Sequence, residues 1–230
     1  MSLSALVACD KSKEPAATTL SASSAAPSLP QSAAPQPAAS TAATPTPPIV
    51  MKTIAKGDIP KDIKFPGKLD KAVGWTDKNG ANVVVFSTQT AVGKKNGEHF
   101  ESAYLNVEHV AYPGGAFKSL RSVKDKEEAC DADLMAEFRD KALTVTDLDD
   151  DGFGEITFAY ALRCTSDVSP ATLKLLMLEN GEKYILRGQS RVDTGPEKVG
   201  GAFKVDPSFN AGPPAFLEHA KKQWSLVKSD

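Results

Sequence analysis

The sequence contains no run of about 20 apolar residues, so no segment reads as a membrane-spanning helix. It has only three histidines, His99, His109 and His219, and none has zinc-ligand spacing to another or to a cysteine. No G-x-x-x-x-G-K-[ST] or G-x-G-x-x-G loop is present to cradle a phosphate. No G-x-S-x-G elbow presents a serine nucleophile. Neither sign of charge predominates. The 27 Lys and Arg face 29 Asp and Glu, a net charge of −2, and the basic residues are scattered rather than grouped. That pattern argues against a nucleic-acid partner.

Large side chains are nearly missing from one stretch. Of the 35 residues from Glu14 to Pro48, 30 are Ala, Pro, Ser or Thr, and Glu14 carries the only charge. Such a segment has too little apolar surface to offset its ordering entropy. Residues 10–48 are therefore expected to form a disordered tether. At the rise of extended polyproline, residues 14–48 would reach roughly 110 Å. Residues 49–230 suit one domain with a core of its own.

Ahead of the tether, Ser4-Ala5-Leu6-Val7-Ala8-Cys9 resembles a bacterial lipobox, the Leu-x-[Ala/Gly]-Cys pattern at the end of a lipoprotein signal peptide. The resemblance implies a lipid-bearing Cys9 and a protein anchored in the bacterial cell envelope, facing the periplasm or cell surface. Residues 1–9 then read as the remnant of a signal. Only eight residues precede Cys9, without a basic n-region or a full apolar h-region, so trimming of the signal is expected. The alternative is an ordinary cysteine in a disordered tail. With Cys9 lipidated, Cys130 and Cys164 remain as an even pair for an oxidising compartment. Their disulfide would close a loop worth about 4 kcal/mol by chain entropy. A reactive thiol is the competing reading.

The dominant period along 49–230 is two, or apolar runs of strand length. Asn82–Ser87 and Ala103–Val110 read as a long hairpin about Gly93–Gly97. Phe117–Val123, Ala142–Val145 and Ile156–Leu162 read as further strands. Leu173–Leu178 and Lys183–Arg187 flank Asn180-Gly181, which favours a type I′ turn. Phe216, Ala220, Trp224 and Val227 lie on one face of a helix that begins at Pro213-Pro214. The stretch Asp131–Arg139 is ambiguous between helix and strand. The expected fold is α+β, mainly β: an antiparallel sheet domain with a C-terminal covering helix. Trp75–Asn82 and Thr146–Glu155 share a pattern of Asp, then Asp or Asn, then Gly before an apolar run, either from duplication or from turn chemistry.

The stretch Thr146–Phe158 reads TDLDDDGFGEITF. Asp147, Asp149 and Asp151 take positions 1, 3 and 5 of a calcium loop, with Gly152 at 6. Alternating carboxylates in a tight coil converge on one hard cation. The carbonyl of Phe153 would be the ligand at position 7, and Glu155 at 9 would bind directly or through water. Position 12, which needs a bidentate Glu in an EF-hand, is Phe158. The loop therefore resembles instead the D-x-D-x-D-G-x-x-[DE] loops that enter strands in FG-GAP and other secreted β proteins. The expected cofactor is structural calcium. A solvated acidic turn is the alternative.

More widely, Asp147–Tyr160, Cys164–Pro170 and Tyr184–Gly188 resemble an uncharacterised family of exported bacterial proteins, some of which carry a surface-polysaccharide label. The resemblance implies no catalytic residues. His109 and His219 read as structural or exposed. Ser166-Asp167-Val168-Ser169 reads as a turn. Two functions stay open: a tethered, calcium-stabilised β module that binds a protein or glycan in the envelope, or an envelope hydrolase built on a carboxylate pair acting on cell-wall or surface polysaccharide. Expressed behind a full signal peptide, the protein is expected to take up labelled fatty acid. A Cys9→Ser form that is labelled equally would overturn the lipid anchor.

Overall fold

The fold comes from a computed structural model that describes residues 48–229 except Asn96, with the side chain of Lys95 also left out. Cys9, the lipobox and tether residues 10–47 lie outside the described residues, as does Asp230.

Strand-forming runs separated by turn residues give two stacked antiparallel sheets rather than one. The first has the order β1 (Lys52–Thr53), β2 (Lys68–Asp77), β3 (Gly80–Lys95), β4 (Glu98–Tyr112) and β5 (Lys118–Cys130). The second comprises β6 (Leu134–Thr146), β7 (Glu155–Cys164), β8 (Thr172–Glu179), β9 (Glu182–Gln189) and β12 (Phe203–Val205), in the order β12-β9-β8-β7-β6. A small ribbon pairs β10 (Arg191–Asp193) with β11 (Lys198–Gly200), and α1 (Pro214–Val227) follows. The ambiguous stretch 131–139 is resolved as strand from Leu134 onward, because alternate residues there face the core. β3 runs on to Lys95, which pairs with Glu98, so the expected turn at 93–97 is tighter than its glycines suggest. Gly93 lies in the strand and is covered by the ring of Phe100 opposite.

Period-two patterning assigns the layers. Val73, Trp75, Val84, Phe86, Leu105 and Val107 of the first sheet meet Ile156, Phe158, Tyr160, Leu176 and Leu178 of the second. Phe86 centres this layer, with the rings of Phe138 and Phe158 edge-on at 5.1 and 5.3 Å. Truncating such a ring costs roughly 3–5 kcal/mol. The other face of the second sheet, with Ala159, Ala161, Leu173, Leu175 and Met177, is covered by Phe216, Ala220, Trp224 and Val227 of α1. Segment 54–65 caps the outer face of the first sheet with Ile54, Ile59, Ile63 and Phe65. β7 is thus covered on both faces, which explains its unbroken apolar run.

Three residues of β5 tie the two sheets together through their side chains. Cys130 at the end of β5 and Cys164 at the end of β7 form a disulfide, with Cα atoms 5.6 Å apart. Asp125 accepts the Tyr160 hydroxyl at 2.7 Å and also pairs with Lys174. Arg121 donates to the carbonyl of Gly181. His109 lies inside the sandwich, 1 % exposed, with Nε2 against Asn82 Oδ1 at 3.1 Å and its ring 5.2 Å from Trp75. Burial pushes its pKa down to about 4, a pull that Asp77 opposes in part. His219 instead meets the Thr144 hydroxyl at 3.1 Å on the helix side.

Reduction of the disulfide is expected to lower stability by about 2–4 kcal/mol, read as a lower urea midpoint, with a steeper slope because the reduced unfolded chain exposes more surface. An unchanged midpoint would show that the bond bears no load on the fold.

Candidate metal-binding loop

The 147–154 loop connects β6 to β7, whose strands pair through Thr146 and Glu155 at its base. Its turns are built by the aspartates themselves. Asp151 N donates to Asp149 Oδ1 at 3.3 Å, Gly152 N to Asp147 Oδ1 at 3.4 Å, and Phe153 N to Asp151 Oδ1 at 2.7 Å. Asp150 and Gly152 take φ of 57° and 83°, the left-handed geometry that coils the loop tightly.

The loop is fixed against the first sheet. Asp77, at the β2–β3 turn, accepts Gly154 N at 2.9 Å, Trp75 Nε1 at 2.8 Å and Asn79 N at 2.7 Å. A Cβ at Gly154 would meet Trp75 Nε1 at 2.4 Å, so only glycine lets the backbone come this close. Lys78 N donates to the Gly152 carbonyl at 3.0 Å, and Lys78 Nζ donates to the Asp151 carbonyl while lying 5.5 Å from the centre of the Phe153 ring. Asn79 Nδ2 reaches Asn180 Oδ1 at 3.0 Å on the β8–β9 turn, where Asn180 and Gly181 have φ of 42° and 92°, as a type I′ turn requires. The shared pattern at 75–82 and 146–155 thus serves two different turns, a tight hairpin and an open coil.

Asp147, Asp149 and Asp151 come together, with carboxylate oxygens all within 4.8 Å of one another. A second group shares Asp149 and adds Glu155 and Glu179 within the same distance. Acidic residues therefore cluster where a metal ion could bind. Glu155 is fully buried: Thr146 Oγ1 donates to it at 2.9 Å and Leu148 N at 3.1 Å. Glu179, at the end of β8, comes from outside the loop. Nothing in its own neighbourhood of the sequence marks it, since its proximity depends on β8 lying beside β7. The nearest signal was the Asn-Gly turn that follows it. The Phe153 amide and ring have the partners given above.

Electrostatically the cluster is under strain. Among the described residues no ion pair engages Asp147, Asp149, Asp151, Glu155 or Glu179. Burial raises the Glu155 pKa to about 8, partly offset by its bonds to Thr146 and Leu148 and reinforced by the charges of Glu179 and Asp149. Burial and then the charges of Asp149 and Asp151 raise Glu179 to about 7. The Ser166–Ser169 stretch is a turn, in which the Thr165 and Ser169 hydroxyls both donate to Asp167 Oδ1. No family model, curated protein or solved structure matches this chain, so the chemistry of the site rests on its geometry.

A carboxyl whose folded pKa is raised contributes stability at low pH that is lost as pH rises through that value. His109 acts oppositely, but only below its unfolded pKa of about 6.5. In chelator, the protein is expected to lose stability from pH 6.5 to 8.5, through the folded pKa values of Glu179 and Glu155. Glu155→Gln should flatten the slope. Urea unfolding at the two pH values checks this; a flat wild-type profile would mean that both carboxyls are already ionised.

Proposed function

We propose that this chain is an exported, lipid-anchored protein of the bacterial envelope. In this reading calcium in the 147–155 loop stabilises its β domain, and the domain binds a protein or glycan partner. The observation that supports the metal is the meeting of Asp147, Asp149 and Asp151, none of which forms an ion pair among the described residues, since the nearby Lys78 ammonium donates to the Asp151 carbonyl instead. Carboxylates so close repel unless a proton or a cation stands between them. An all-oxygen donor set in a coiled loop suits a hard cation, and calcium tolerates irregular coordination that magnesium does not. The metal would also offset the cost of ionising Glu155 and Glu179 beside Asp149. Phe158, at the position of the EF-hand glutamate, is a core residue between the sheets, so the role assigned to calcium is structural rather than a switch.

The Cys130–Cys164 disulfide agrees with an oxidising compartment. The lipobox and tether support the anchor, and a long tether serves capture of a partner at a distance.

One observation favours the hydrolase reading: Glu179 and Glu155, with raised pKa values, stand beside Asp149 as acid and base carboxyls do in glycosidases. Against it, Glu155 has no exposed surface with which to meet a substrate.

Thermal unfolding with calcium, magnesium or chelator tests the metal. At free calcium 100 times the dissociation constant, stabilisation of about 2.7 kcal/mol is expected. Magnesium should give less, and Asp149→Asn should remove most of the effect. An equal rise in the variant, or none in the wild type, would leave the loop an acidic turn.

A further inference from the structure

The far end of β7 carries a different constellation. Arg163 lies eight residues beyond Glu155, roughly 26 Å along an extended strand. With Arg191, Val168, Val192, Asp193 and Ser229 it lines a cavity of about 470 Å³. The 165–171 connection, the β10 strand and the segment after α1 all meet there. Arg191 N donates to the Lys228 carbonyl, and β10 bridges to Ser229, so the segment that follows the helix is stitched to the cavity wall.

The two guanidiniums differ from those of Arg187 and Arg139. Arg187 pairs with Asp206, and Arg139 with Glu137. Neither Arg163 nor Arg191 forms an ion pair among the described residues. Arg163 Nη1 makes a single long bond to the Ser169 carbonyl at 3.3 Å, and its Nε is buried with no hydrogen-bond partner in the protein. Arg191 Nη2 donates to Ser229 Oγ at 2.8 Å. Leaving a charged, buried donor unfilled is costly.

The nearby acids are otherwise engaged. Asp193 Oδ1 accepts Gly195 N at 3.0 Å. Asp167 accepts the Thr165 and Ser169 hydroxyls, which with the charge of Arg163 hold its carboxyl below the usual range. The cavity lining thus sets one carboxylate against two guanidiniums, with the exposed Val168 (71 %) at hand as an apolar surface. Guanidinium donors match a carboxylate or phosphate in fixed, two-pronged geometry.

We propose that this cavity binds an oxyanion, the carboxylate or phosphate group of a small sugar-sized ligand, through Arg163 and Arg191. The anion would pair with the two guanidiniums where they line the cavity. Val168 would cover the apolar face of the attached ring, while Ser229 and Asp193 meet its hydroxyls. This site lies outside the acidic loop and needs no metal.

Calorimetric titration of the full chain with glucuronate, glucose 6-phosphate and glucose, at fixed ionic strength and in chelator, tests it. Saturable binding of an anionic sugar is expected, with glucose giving none; which of the two anions binds tells carboxylate from phosphate. Arg191→Gln should weaken binding about tenfold or more, the loss of one charge-assisted pair. Arg163→Gln should do the same at an unchanged thermal midpoint. Arg187→Gln, which breaks a pair elsewhere, should leave binding as it was. The proposal is overturned if neither anion binds, if glucose binds equally, or if Arg191→Gln binds as tightly as wild type. Binding that arises only after removal of Asp230 would also overturn it.

Discussion

The position of the acidic loop depends on one carboxylate that is not part of the cluster. Asp77 stands at a turn of the first sheet and takes hydrogen bonds from Trp75, Asn79 and the backbone of Gly154 at the exit of the acidic loop. Each bond to a charged acceptor is worth roughly 1.5–3 kcal/mol. Together they fix the register of a core tryptophan, a hairpin turn and the exit of the loop at one point. Trp75 carries this constraint into the sandwich, where it meets His109 and the inter-sheet layer. The coil of aspartates therefore forms against a rigid wall, and its carboxylates converge because the backbone has no freedom to splay them.

Much of the architecture was legible because the patterns were local. The Asn180-Gly181 turn, the helical face from Phe216 to Val227 and the continuous run of β7 each declare themselves within a dozen residues. The D-x-D-x-D-G spacing likewise brought three aspartates together as its periodicity implies. What was not legible depends on which strand lies beside which. That two sheets stack, that Glu179 reaches Asp149, and that Asp77 caps Gly154 follow from the order of strands, which periodicity does not encode. The stretch 131–139 was ambiguous for a related reason. Its Leu134, Met135 and Ala136 suit a helix in isolation, and only pairing with Arg163 and Cys164 makes them a strand.

The two ends of β7 thus carry opposite chemistry. Its entry gathers carboxylates that form no ion pair among the described residues, and its exit sets two guanidiniums against the single carboxylate of Asp193 in the cavity lining. The strand between them is covered by two hydrophobic layers, and its length holds the two charged ends apart. The ties at Asp125–Tyr160, Arg121–Gly181 and the disulfide hold that core closed along its length.

The disulfide has a mechanical consequence. A pull delivered through residue 48 enters at β1, a ladder of two residue pairs that opens one rung at a time, so the first strand peels readily. Further along the chain the load meets Cys130 and passes directly to Cys164. The 34 residues of separation between them, about 110 Å of contour at full extension, are taken out of the path of the force. The acidic loop lies wholly inside that bypassed length. Traction that strips the first sheet would leave the pairing of β6 with β7, and the coil between them, under no direct tension.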